Sequence, residues 1–324
     1  MKKMTIGKYR GVQRLADKRG SICMCALDHR GSLAKMLKEG TGVEPSHQDM
    51  VDFKFDVCGA LSPHCSAILL DPVYGAAQGI AADVLAGGTG LLVSLEETGY
   101  EGTGESRVSR SLEGWNAGKI RRMGADGAKL LLYYRPDNDV AARQRALVEE
   151  LAARCEEQDL AFIVEPVGYA MGDEGTTGRY SGLKPEIVIK TAAQLTPLGI
   201  DVLKAEFPAD AKKEKDAAVM LDNCKRLNDA SMVPWIILSG GVDFSLFVRQ
   251  VEIACKAGAS GFLAGRALWQ EATSITSREA RQHFFQTTVV DRLGILMAVA
   301  NAYGTPWYKK VSAPSIAEGW YKSY

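Results

Sequence analysis

The chain has 324 residues, 46% of them hydrophobic and 24% charged, with 39 basic and 39 acidic side chains. That length suits one large α/β barrel or two smaller domains, and the composition is that of an ordinary globular protein able to bury roughly three quarters of its unfolded surface. A net charge of zero excludes binding to nucleic acid or to membranes through bulk charge, while leaving room for a local basic site that takes a small anion.

The basic start Met1-Lys2-Lys3-Met4 is followed by no long apolar stretch, so no signal peptide is expected, and no apolar run approaches the roughly 18 residues of a membrane span. Seven cysteines, an odd number without a Cys-x-x-Cys pair, point to reduced thiols and a cytoplasmic setting. Four histidines with no zinc spacing give no metal signal. The first strand is predicted over 22–27, and 31–45 lengthens the connection after it. A helix follows at 49–61, then strands at 67–70 and 90–95, a helix at 111–123 and a strand at 128–133. The pattern continues with a helix at 139–158, a strand at 161–165, a glycine-rich flexible loop at 168–182 and a helix at 184–195. Strands at 202–206, 235–239 and 261–264 close the series, separated by helices at 216–230 and 244–257. The strands are short and continuously apolar, as buried parallel strands are, and the helices carry an amphipathic period. Gly124, Gly199 and Gly258 stand where left-handed helix caps are expected. Eight βα units predict a single (β/α)8 TIM barrel spanning 1–324, with the aromatic-rich segment 301–324 as a C-terminal extension packed on it; a doubly wound open sheet is the alternative. The tail aromatics Trp307, Tyr308, Trp320, Tyr321 and Tyr324 suit either a satellite core cluster or an interface in a homo-oligomer.

In a barrel, functional residues gather at the C-terminal ends of strands. Those ends carry Asp28-His29-Arg30, Asp71, Glu96-Glu97-Thr98, Lys129, Glu165, Lys204 with Glu206, Ser239-Gly240-Gly241 and Gly265-Arg266. Alternation along the strand puts Val202, Lys204 and Glu206 on one side. A lysine turned into an apolar interior readily loses its proton and becomes a nucleophile toward carbonyls, whereas at the surface the same pair would be an unremarkable ion pair. Lys129, on another strand, supplies a second cation, which favours a free amine nearby. Glu165 suits general acid and base work. The loops after the last two strands often bind phosphate in barrels. There, Ser239, Gly240, Gly241 and Gly265 let backbone amides approach an anion, and Arg266 adds a guanidinium. The runs Gly87-Gly88-Thr89-Gly90 and Gly102-Thr103-Gly104 fit neither a dinucleotide fingerprint nor a Walker loop and read as turns, and Asp71 reads as a loop-positioning residue.

Taken together, Ala26-Leu27-Asp28-His29-Arg30, Ala67-Ile68-Leu69-Leu70-Asp71-Pro72, Glu97-Thr98-Gly99-Tyr100, Ala128-Lys129-Leu130-Leu131-Leu132-Tyr133-Tyr134, Val202-Leu203-Lys204-Ala205-Glu206 and Leu238-Ser239-Gly240-Gly241-Val242 resemble, in order and over nearly the whole chain, the class I tagatose 1,6-bisphosphate aldolases. The later stretches around Trp235 and 258–267 are also similar to the related sulfofructose 1-phosphate aldolases. The resemblance implies a Schiff-base enzyme with no cofactor and no metal, in which Lys204 forms the imine and Glu165 is the acid/base. Asp28 and Lys129 would position the substrate and tune Lys204. His29, Arg30, Glu206, Ser239, Gly240, Gly241, Gly265 and Arg266 would bind the sugar phosphate. The family has glutamine where this chain has His29, so contacts to the distal end of the substrate are expected to differ. Cleavage of tagatose 1,6-bisphosphate to dihydroxyacetone phosphate and glyceraldehyde 3-phosphate is the leading expectation. A sulfosugar aldolase, a barrel isomerase without an imine and a non-catalytic sugar-phosphate sensor are the alternatives.

Overall fold

The computed structural model describes residues 2–322 and 324. After a two-residue strand β1 (Lys2–Lys3) and a helix α1 (Ile6–Leu15), eight strands form a closed parallel barrel in chain order. They are β2 (Ile22–Leu27), β3 (Ala67–Leu70), β4 (Gly90–Ser94), β5 (Gly127–Tyr133), β6 (Ala161–Val167), β7 (Val202–Ala205), β8 (Trp235–Leu238) and β9 (Gly261–Ala264). Closure rules out the open sheet: β2 pairs on one side with β3, Cys25 opposite Ile68, and on the other with β9, Cys25 opposite Ala264.

Every residue of β2 is buried, so its two faces differ in their neighbours and not in polarity. Ile22, Met24 and Ala26 join Ala67, Leu69, Leu92, Ala161, Ile163, Val202, Ile236 and Leu263 in a core inside the barrel. Cys23, Cys25 and Leu27 turn outward, with Ile68 and Leu70, into the layer between barrel and helices. The outer layer is α2 (Gly31–Thr41), α3 (His47–Leu61), α4 (Ala76–Ala81), α5 (Ala117–Arg122), α6 (Ala141–Glu157), α7 (Arg179–Leu195), α8 (Ala217–Ala230) and α9 (Phe244–Lys256). Local chemistry starts several of them. Ser46 and Asp49 form a reciprocal capping box on α3, and Asp216 and Asp243 cap α8 and α9. Gly124, Gly199 and Gly258 all have positive φ, as their cap positions require.

The floor of the barrel is closed by α1. Its Val12 and Leu15 enter the inner core, and Gly11 allows the approach, since a Cβ there would lie 2.4 Å from the Asp126 carbonyl oxygen. Trp307 packs edge-on against Tyr9 beneath it, and the closing strand β10 (Val311–Ser312) pairs in parallel with β1.

Several elements differ from the sequence expectation. Residues 31–41 of the lengthened connection are the helix α2, whose Leu33 and Leu37 reach the core although Gly31 and Gly40 weaken its helical signal. The helix expected over 111–123 shrinks to α5. The segment before it folds back antiparallel over the barrel rim, with Glu96 opposite Ser111 and Glu101 opposite Val108. The loop expected over 168–182 ends earlier, at α7. Its start is pinned by buried Arg135, which donates to the Tyr169 carbonyl oxygen at 3.0 Å and to both Glu174 carboxylate oxygens at 2.7 and 2.9 Å. After β9 come α10 (Arg266–Trp269), α11 (Arg278–Phe284) and, through a π-helical turn, α12 (Val290–Tyr303). The start expected for the extension, Asn301, is therefore still helix.

Candidate active site

A cavity of about 480 Å³ opens at the C-terminal ends of the barrel strands, and the inward alternation of each strand delivers its polar residues there. Along β7 the interior side passes from Val202 in the core to Lys204 and then Glu206 at the cavity wall. Along β6 it passes from Ile163 to Glu165, and along β2 from Ala26 to Asp28.

Lys204 is only 3% exposed, which removes the surface ion-pair reading. Its Nζ lies 2.7 Å from Glu165 Oε1. The other oxygen of Glu165 lies 2.9 Å from Lys129 Nζ, so one carboxylate bridges two ammonium groups. Lys129 is fully buried beneath the cavity wall and meets two further carboxylates, Asp28 Oδ2 at 2.6 Å and Glu96 Oε1 at 2.8 Å. Burial alone would push the Lys129 ammonium toward its neutral form, but Asp28, Glu165 and Glu96 outweigh it and hold its pKa well above the ordinary lysine value. Burial likewise disfavours the Glu165 and Asp28 anions. The Lys129 and Lys204 cations outweigh it, so Glu165 falls below its usual value and Asp28 falls well below the usual carboxylate range. The two lysines thus differ in kind. Lys129 is surrounded by three carboxylates and has no surface in the cavity; Lys204 meets one carboxylate and lines it.

The sequence-predicted anion loop is also assembled here. Gly240 and Gly241 both adopt left-handed backbone, φ +57° and +74°. The Ser239 hydroxyl faces the Gly265 amide at 3.5 Å. Arg266 is half-buried at the cavity wall and, among the described residues, pairs with no carboxylate. Gly241 lies just outside this cavity, under the Arg266 guanidinium, in an adjoining hollow. Gly265 has no room for a side chain: a Cβ would lie 2.9 Å from His29 Cε1 and 3.1 Å from the Ala26 carbonyl oxygen. His29 therefore sits beside the Gly265 turn, its ring edge-on to Trp269 at 5.1 Å. Arg30 also lines the cavity and donates to the Glu96 carbonyl oxygen at 2.6 Å.

Two residues at the strand ends serve their neighbouring loops. Glu206 reaches the cavity, but its oxygens are engaged by the Gly168 amide at 2.7 Å and by Lys184 at 3.1 Å, so it ties the β6 loop to α7. Asp71 accepts from the Val73 and Tyr74 amides and from fully buried Lys54, which confirms it as a loop-positioning residue. Sequence reasoning noted Glu96 only as part of a loop and passed over Tyr133, which also lines the cavity. The signal for Glu96 existed, because Leu92, Ser94 and Glu96 continue one parity from inside β4.

The model of the DeoC/LacD family aldolases matches residues 22–271 of the chain. A tagatose 1,6-diphosphate aldolase of Listeria monocytogenes serotype 4b is 33% identical, covering 96% of each chain. One from Lactococcus lactis subsp. lactis is 31% identical, covering 95% of this chain and 99% of its own. Among solved structures, a Schiff-base-forming fructose-1,6-bisphosphate aldolase superposes with a TM-score of 0.57 at 19% identity, covering 86% of this chain and 97% of its own. The Plasmodium falciparum fructose-bisphosphate aldolase superposes with a TM-score of 0.67 at 15% identity, covering 97% and 98%. At these identities the structural likenesses bear on the fold.

Proposed function

The chain belongs to the DeoC/LacD family of aldolases, and from that premise we propose that it is a class I enzyme cleaving tagatose 1,6-bisphosphate to dihydroxyacetone phosphate and glyceraldehyde 3-phosphate through an imine on Lys204. The observation that carries this reading is the 2.7 Å contact between Lys204 and Glu165 at the wall of a cavity that is also lined by an unpaired arginine beside a glycine turn. The relatives' named activity supports the choice of sugar.

Lys204 passes a proton to Glu165 across that contact and attacks the C2 carbonyl of the ketose as a free amine. Glu165, now protonated, gives its proton to the departing carbinolamine hydroxyl, and water leaves as the protonated imine forms. The regenerated carboxylate takes the proton of the C4 hydroxyl. The C3–C4 bond breaks, its electrons move into the imine to give an enamine, and the aldehyde departs. Protonation of the enamine at C3 and addition of water release dihydroxyacetone phosphate and restore Lys204. Lys129 stays charged throughout and fixes Asp28 and Glu165 electrostatically. Arg266, with the amides around Ser239, Gly240 and Gly265, holds the C1 phosphate and so presents C2 to the amine. No metal or cofactor takes part in these steps.

The chain is read as one barrel domain with its C-terminal segment packed beneath it, as the β1–β10 pairing and the burial of Trp307 support. Seven free thiols agree with a reducing, cytoplasmic setting. The test is borohydride reduction in the presence of dihydroxyacetone phosphate, read by peptide mass spectrometry. An adduct on Lys204, absent from Lys204→Ala, is expected. An adduct on Lys129, or turnover by Lys204→Ala, refutes the mechanism. Faster cleavage of a 6-sulfonated ketose 1-phosphate than of tagatose 1,6-bisphosphate would reassign the substrate.

A further inference from the structure

His29 is the one half-buried histidine of four, its side chain 17% exposed; His47, His64 and His283 are exposed. Among the described residues its ring makes no hydrogen bond. Nδ1 is buried without a partner and lies 3.8 Å from Asp28 Oδ1, the oxygen that Asp28 does not give to Lys129. Cε1 faces Gly265. With those two positions turned away, the edge left for the cavity that His29 lines is the one carrying Nε2. Burial pushes the imidazole down to about 4, with Asp28 opposing the shift and Arg266, Lys204 and Lys54 adding to it, so the ring is neutral at neutral pH.

A neutral imidazole has one N–H and one acceptor nitrogen. The Asp28 carboxylate fixes which is which: the proton belongs on Nδ1, directed at Oδ1, leaving Nε2 as an acceptor in the cavity. The ring also has a defined place along the substrate. On one side it touches Gly265 of the anion loop. On the other it adjoins Asp28, which shares Lys129 with the Glu165–Lys204 pair. A ring that adjoins both the phosphate site and the carboxylates around the imine faces the three-carbon half that stays on the lysine, and that half carries one free hydroxyl, on C3 next to the imine carbon.

We propose that His29, oriented by Asp28, is a substrate-binding residue whose Nε2 accepts a hydrogen bond from the hydroxyl of the dihydroxyacetone phosphate half of the ketose. This deepens the aldolase reading and rests on it. Its consequence runs against the sequence expectation, which tied His29 to the distal end. Substitutions at His29 weaken all substrates sharing the retained half alike and leave the choice of leaving aldehyde unchanged.

The test compares borohydride trapping of dihydroxyacetone phosphate with that of acetol phosphate, the same ketone phosphate lacking the hydroxyl. For the native protein, half-maximal trapping is expected at about tenfold lower concentration of dihydroxyacetone phosphate, the effect of one hydrogen bond to a desolvated acceptor. His29→Phe removes the preference. His29→Gln, whose amide reaches the Nε2 position, keeps most of it, and His29→Asn, whose amide reaches only the Nδ1 position, loses it. Nitrogen-15 shifts of the native protein should show an Nδ1–H neutral ring for His29 at pH 6. A native protein without the preference, a His29→Phe variant that keeps it, identical behaviour of the Gln and Asn variants, or a charged ring at pH 6 each overturns the assignment. If His29→Phe traps neither compound, the Gln and Asn pair decides. Failure of the native protein to trap either compound on Lys204 would overturn the aldolase reading itself, a distinct result from trapping both equally.

Discussion

Replacing Lys129 by methionine tests the electrostatic logic of the site most directly. One ammonium, fully buried, stands 2.6, 2.8 and 2.9 Å from the carboxylates of Asp28, Glu96 and Glu165. Lys129→Met keeps most of the side-chain volume and leaves three buried carboxylates, of which only Glu165 still contacts a lysine, Lys204. Removing one partner from a buried ion network costs about 3–5 kcal/mol, which for a chain of this size corresponds to about 4–7 °C in Tm. The loss depends on pH with a definite sign. In the native protein the Asp28 and Glu165 values are lowered, so their contribution is present above roughly pH 4 and fades as pH falls through the folded values; the raised Lys129 value keeps its contribution complete below about pH 10. Without the cation, burial and mutual repulsion raise the carboxylates, the folded state holds more protons than the unfolded one, and the variant weakens as pH climbs. Thermal and urea unfolding at pH 5 and pH 8 should therefore show a larger deficit at pH 8, and adding Glu96→Gln should restore part of it. An equal deficit at both values would refute the reasoning and reduce Lys129 to a packing residue.

Three further outcomes are expected. Gly265→Ala drives a methyl into His29 and the Ala26 carbonyl, so KM for any ketose 1-phosphate should rise by about tenfold or more with the fold intact; steady-state kinetics and Tm measured together separate the two effects. Glu174→Gln replaces the carboxylate that holds buried Arg135 in a bidentate pair, so stability should fall by about 2 kcal/mol and limited proteolysis should open the segment 168–178 first. Trp307→Ala empties the contact with Tyr9 under the barrel floor, costing about 3–5 kcal/mol by chemical denaturation while leaving KM unchanged, because the cavity lies at the other end of the strands.

How much could be read in advance follows from the range of each interaction. The strands at 22–27, 67–70 and 261–264 were legible to the residue because each is an unbroken apolar run ended by Asp28, Asp71 or Gly265. The helix α2 was not, since Gly31 and Gly40 argue locally for a loop and only the contact of Leu33 and Leu37 with the core stabilises it. Lys204 and Glu165 stood out as charges at the ends of apolar runs, whereas Glu96 lay in a run of polar residues and was marked only by its parity with Leu92. The loop at 168–182 read as flexible because its glycines are visible in sequence and its anchor, Arg135, is 39 residues from Glu174.

The sequence by itself determined the βα repeat, the eight strands and the set of polar residues at their ends, because side-chain alternation and amphipathic period are properties of neighbouring residues. Tertiary structure alone decided which charges meet. Barrel closure sets Asp28 beside Lys129, 101 residues away, and fills the space around Lys129 with three carboxylates while Lys204 receives one. A lysine's chemistry depends on the charges within a few ångströms of its nitrogen, and in this chain those charges come from three different strand ends that meet only once the sheet has closed.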